Sequence, residues 1–148
     1  MKYKSFMPYA LDMAKKALEC GEVPVGAVIV KNGEIISLAH NETEKNANAL
    51  CHAEIIAIER ACKKLNSKYL TGCDLFVTLE PCAMCAGAIM NVKLSRVYIG
   101  AEDKLSGAAG GKTNLFNRGL FNFEPEVYHG FMADECSKIL KDFFASKR

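Results

Sequence analysis

No stretch of these 148 residues approaches the roughly 18 consecutive apolar positions that a membrane span requires. No export signal is expected either: the apolar run from Phe6 to Leu11 is short, carries Pro8 and stops at Asp12. Internal repeats, low-complexity tracts and linkers are also missing, which predicts a single domain over residues 1–148. Charge of one sign is scarce. A net charge of +2 is too small to announce a nucleic-acid binder by itself. Its local excess lies near the end, where Lys138, Lys141, Lys147 and Arg148 stand against Asp142, and a solvated helix face accounts for that pattern. Tryptophan is absent altogether.

What is present suits a folded core: 50% of the residues are hydrophobic and 24% charged, unlike a disordered chain. Seven cysteines make an odd set, and most stand singly. A secreted disulfide framework favours an even set in a shorter chain, so reduced thiols in the cytosol are expected.

Helical and strand periods alternate along the chain. Ser5 is placed to cap a first helix whose apolar stripe is Ala10, Met13, Ala14, Ala17 and Leu18, ending at Gly21. Residues 25–30 form a branched apolar run, Lys31-Asn32-Gly33 supplies a hairpin turn, and 34–39 read as the returning strand. After a polar loop over 41–51, Ile55, Ile58, Cys62 and Leu65 mark a helix over 52–65. A strand over 74–79, a short buried helix over 82–91 and a strand over 96–100 follow. A glycine- and alanine-rich loop (105–111), a weak strand near 126–129 and an amphipathic helix from about Met132 complete the chain. This order predicts an α/β fold, a mixed sheet with helices on both faces.

The stretch Pro81-Cys82-Ala83-Met84-Cys85 carries the chemistry, and three readings compete for it. A redox couple at a helix start would sit early in the chain beside an aromatic residue, whereas here Pro81 precedes it, late, in a chain without tryptophan. A structural zinc site needs four protein ligands, commonly two such pairs; Cys20, Cys51, Cys62, Cys73 and Cys136 are scattered, leaving His40, His52 and His129 as further candidates.

The third reading draws on His52-Ala53-Glu54, thirty residues upstream. His52, Cys82 and Cys85 make three ligands with one position open, the composition of a catalytic zinc site. Spacing of i, i+3 turns both sulfurs to one side of a helix, and exposed N–H groups at its start favour thiolate. Two thiolates and a neutral imidazole leave Zn²⁺ formally neutral, and converging helix ends would keep it electrophilic enough to acidify water. Glu54 then has a use as proton shuttle that a structural site lacks. Its difficulty is geometric: residues two apart on a helix diverge, so His52 must lie on an irregular first turn. Without the cysteines, Glu54 would be an ordinary first-turn acid.

H-x-E paired with P-C-x-x-C resembles the signature of zinc nucleobase deaminases. The likeness extends through "EVPVGAVIV", "HAEIIAIERA", "LFVTLEPCAMCAGAI", "RVYIGAEDKLSGAAG" and "MADECSKILKDFF" to the tRNA-specific adenosine deaminases of bacteria, in colinear order over nearly the whole chain. This resemblance implies a cytidine deaminase-like three-layer α/β/α sandwich around a mixed five-stranded sheet. It further implies one zinc per subunit and a homodimer in the cytoplasm that converts adenosine to inosine at the first anticodon position of tRNA. By the same resemblance His52, Cys82 and Cys85 are the ligands, Glu54 is the shuttle, and Asn41 holds the nucleoside. The resemblance also places Asp103 near a flanking nucleotide; in the mechanism, the Ala53 N–H and carbonyls near Glu80–Pro81 are expected to contact the ring and the leaving group. Taken alone, Asn41 is turn chemistry and Asp103 a loop acid.

Phe144, with Phe143, Lys147 and Arg148, could stack on splayed bases and hold phosphates of the anticodon stem-loop. Against that, Ile139/Phe143 and Leu140/Phe144 are i, i+4 pairs, as in a core stripe. The chain departs from the family pattern at Asn48-Ala49-Leu50-Cys51, where an Asp-Pro pair usually precedes the histidine, so the shape of loop 42–51 is open. Cys51 is expected to be aimed away from the metal. Two alternative functions stand beside the first: a zinc-dependent deaminase of a free base or nucleoside such as guanine or cytosine, and a zinc-binding module without catalysis.

Overall fold

A computed structural model describes residues 5–147, so Arg148 lies outside them. Asn32 and Gly33 both take left-handed backbone (φ 51° and 78°), which a two-residue type I′ turn demands. That turn joins β1 (Gly26–Lys31) to β2 (Glu34–His40), with Lys31 opposite Glu34. On its other edge β1 pairs antiparallel with β3 (Cys73–Leu79). From there the sheet turns parallel through β4 (Arg96–Ala101) and β5 (Glu126–Tyr128), giving the order β2-β1-β3-β4-β5. Parallel neighbours need crossovers. The helix α3 (Ala83–Asn91) makes the first, and residues 102–125 make the second without a helix.

The continuous apolar run of β1 follows from burial on both faces. Ala27 and Ile29 pack with α2 (Ala53–Leu65) and α3, whereas Val28 and Val30 pack with α1 (Met7–Glu19). Cys136 of α4 (Ala133–Ser146) joins the latter side. Three layers result, as expected. Small residues set the spacing. Ala10, Ala14 and Ala17 of α1 are fully buried, and a Cβ on Gly26 would fall on the Ala10 carbonyl.

Three expectations are corrected. The first helix is capped at Phe6, one residue after Ser5, whose hydroxyl still accepts the Met7 N–H at 3.3 Å. Leu18 is exposed, and Met7 and Leu11 are buried in its place. On α2 the inner face is Ala53, Ile56, Ala57 and Ala61, while Ile55, Cys62 and Leu65 are only half-buried. A helix lying close to a sheet turns its smallest side chains inward, so weighting the stripe by size misplaces it. No helix among the described residues is long and apolar enough to cross a membrane. All seven cysteines are free.

Candidate active site

His52 is the N-cap of α2, with extended backbone (φ −71°, ψ 152°). Its ring therefore escapes helical spacing relative to Glu54, which removes the i, i+2 difficulty. Cys82 is the N-cap of α3 (φ −74°, ψ 176°) rather than its first helical residue, and Cys85 stands on the first turn. Two helix starts thus converge. Nδ1 of His52 lies 3.7 Å from Cys82 Sγ and 3.5 Å from Cys85 Sγ. A tetrahedral zinc centre with ordinary bond lengths has an N···S edge of about 3.6 Å, so the donors fit that ion. Among the described residues no fourth His, Cys, Asp or Glu joins this group, whose atoms all lie within 4.8 Å of one another. Neither His40 nor His129 belongs to this group. Cys51 points elsewhere, its sulfur 3.5 Å from the Asn46 amide nitrogen.

The electrostatics suit cation binding. A hydrogen bond from Cys85, then one with His52, lowers the Cys82 thiol to about 3. The same bond to Cys82, together with burial, pushes Cys85 up. His52 is raised, chiefly by its hydrogen bond with Cys82. A divalent cation entering this group would expel its protons. Glu54 is only 4% exposed. Burial pushes its carboxyl up to about 7, against a partial opposing pull from backbone hydrogen bonding and the His52 charge.

One cavity of about 1090 Å³ gathers His52, Glu54 and Cys82 with the four expected substrate contacts, Asn41, Ala53, Asp103 and Phe144. Asn41 is buried on its wall. Ala53 opens α2, where first-turn N–H groups have no partner within the helix. Asp103 has local work: its Oδ1 accepts the Leu105 and Ser106 N–H groups at 3.0 and 3.1 Å. The Pro81 carbonyl accepts the Ala108 N–H at 2.8 Å. Phe143 is buried in the core, and Phe144 stands out at 52% exposed. Sequence reasoning passed over two buried carboxylates, Glu22 and Glu80, that bond to the loops around this cavity. A glutamate preceding the cysteine motif carries no pattern of its own.

The MafB19-like deaminase family model matches residues 1–148. The tRNA-specific adenosine deaminase of Bacillus subtilis is 46% identical over 97% of this chain and 89% of its own. The chain belongs to the family of tRNA-specific adenosine deaminases. A solved structure from a study of A-to-I editing by tRNA:A34 deaminases superposes on this family member with a TM-score of 0.86. Its identity is 41%, over 91% of this chain and 98% of that one. A guanine deaminase from Bacillus subtilis is more distant: 38% identical over 69% of this chain and 66% of its own, TM-score 0.64. As a deaminase of the first group, the protein keeps H-x-E and P-C-x-x-C in contact while lacking the Asp-Pro pair in loop 42–51.

Proposed function

We propose that this protein is a hydrolase that deaminates adenosine to inosine at the first anticodon position of tRNA, releasing ammonia. The observation that carries the reading is the shape of the cavity beyond the ligands. At about 1090 Å³ it matches or exceeds the roughly 300–1,000 Å³ of drug-sized sites. Its rim carries Lys104, Lys141, the half-exposed Phe144 and Leu105, which is 83% exposed. A free base would leave those side chains wet, whereas a splayed anticodon strand covers the apolar pair and pairs its phosphates with the lysines.

His52, Cys82 and Cys85 would hold one zinc ion per subunit, which when bound would acidify the water that serves as nucleophile. Glu54 does the proton work. Its carboxylate takes a proton from the attacking water and delivers it to ring N1, and oxygen bonds to C6. It then moves the remaining hydroxyl proton to the amino nitrogen. The C6–N bond breaks, ammonia leaves and the carbonyl of inosine remains. Asn41 orients the nucleoside through its amide, which can both donate and accept. Ala53 offers a backbone N–H to the ring. An unpaired anticodon base costs less to extrude than one in a duplex. The protein works as a cytoplasmic homodimer, where its substrate resides.

The test is purified protein incubated with a tRNA bearing A at the first anticodon position, beside free adenine, guanine and cytosine. Inosine in the tRNA alone is the expected result. Ammonia from a free base would install the nucleobase deaminase instead, and no product at all would leave a metal-binding module.

A further inference from the structure

We propose that Glu22 and Glu80 are positioning residues, two buried carboxylates that each fix one of the loops walling the cavity mouth. The proposal rests on the tRNA reading above and assigns the admission of a strand-borne base to two carboxylates that act through the loop backbone they hold.

Glu22 is 1% exposed and Glu80 2%. Glu22 follows α1, held there by its own N–H to the Ala17 carbonyl at 2.9 Å. Its Oε1 accepts the Glu44 N–H at 3.0 Å and its Oε2 the Lys45 N–H at 2.8 Å. Glu80 is held by its N–H to the Ala101 carbonyl at 2.9 Å. Its Oε1 accepts the Asp103 N–H at 3.0 Å, and its Oε2 accepts the N–H groups of Ala109 and Gly111, both at 2.8 Å. Among the described residues neither carboxylate forms an ion pair. Burying a carboxyl group is costly unless its oxygens are hydrogen-bonded, and here backbone N–H groups supply those bonds. Such bonds are directional, so what they specify is the path of the loop.

The packing around Glu80 makes the same point. A Cβ added at Gly107 would strike the Glu80 carboxyl group, and one at Gly111 would lie 2.6 Å from its Oε1. The glycine-rich composition of 105–111 thus reads as backbone wrapped around a carboxylate. The loop held by Glu22 carries Asn41 and Thr43 to the cavity, and the loop held by Glu80 carries Asp103 and the exposed Leu105. Loop 41–51 contains no proline, so hydrogen bonds set its course: its own backbone bonds, among them Glu42 N–H to the Cys51 carbonyl and Asn48 N–H to the Thr43 carbonyl, both at 3.0 Å, Leu50 N–H to Asn48 Oδ1 at 2.9 Å, and the two to Glu22 that tie it to the end of α1.

Glu22→Gln and Glu80→Gln keep size but set an amide N–H₂ against a backbone N–H. In metal-loaded protein, amide hydrogen exchange should quicken over 43–46 for the first variant and over 103–111 for the second, with the helices unchanged. For an anticodon stem-loop, KM should rise about tenfold while kcat stays within about threefold and zinc content holds. Glu22→Asp and Glu80→Asp, which keep the charge and lose the reach, should repeat this pattern if a Gln variant fails to fold. Unchanged loop exchange, loss of kcat at constant KM, or loss of zinc from the Glu80 variants would overturn the proposal. If the unaltered protein leaves the stem-loop untouched, the tRNA reading falls, and the exchange comparison by itself decides whether the carboxylates anchor the loops.

Discussion

Sγ of Cys85 lies 3.5 Å from Nδ1 of His52, across 33 positions of sequence. Each is delivered by a helix start, and Cys85 is wholly buried. A divalent cation bound here would expel the protons from the two sulfurs and the facing ring nitrogen and neutralise the thiolate charge left behind.

Removing a donor should therefore empty the site. Cys85→Ser or His52→Ala is expected to lower zinc from near one per chain to near zero by elemental analysis. Cys51→Ser should leave the content unchanged, because that sulfur faces Asn46. Zinc loss from the Cys51 variant alone would mean the ligands are misassigned.

Glu54→Gln separates binding from proton transfer. Zinc should stay while turnover falls by roughly 10²–10⁴-fold, the usual worth of general acid–base catalysis. Stability should move the other way in chelator-stripped protein. The folded carboxyl is raised from 4.5 to about 7, so between those values the folded state holds more protons than the unfolded one. Stability is then lost as pH rises through that window. The Gln variant escapes the loss and should exceed the unaltered protein by up to about 3 kcal/mol at pH 8, converging with it near pH 4. Denaturant melts at the two pH values would show it; a constant difference would remove burial as the cause.

Phe143 and Phe144 should part company. Phe143→Ala empties a core position and is expected to cost about 3–5 kcal/mol. Phe144→Ala, at a site 52% exposed, should leave the melting temperature nearly unchanged and weaken tRNA turnover through KM. Equal destabilisation with unaltered activity per folded molecule would refute the RNA contact.

Much of this was legible in the residues. The Asn-Gly turn announced the hairpin because few residues accept two successive left-handed positions. Cys82 and Cys85 were readable as a pair because their spacing brings them together on one helix start. The inner face of α2 was misread because Ala53, Ala57 and Ala61 weigh little on any hydropathy scale, yet they face the sheet. Glu22 and Glu80 were invisible since isolated glutamates in a sequence look like surface charge.

Local order, ligand chemistry and family membership were decided by the sequence itself, because turn geometry, helix starts and donor types depend on residues near one another in the chain. Tertiary structure alone decided that His52 caps its helix toward the sulfurs, that Phe144 faces out while Phe143 faces in, and that two carboxylates sit inside the protein with backbone N–H groups as partners. Those outcomes depend on which segments meet across the sheet, and burial belongs to the assembled fold rather than to any stretch of it.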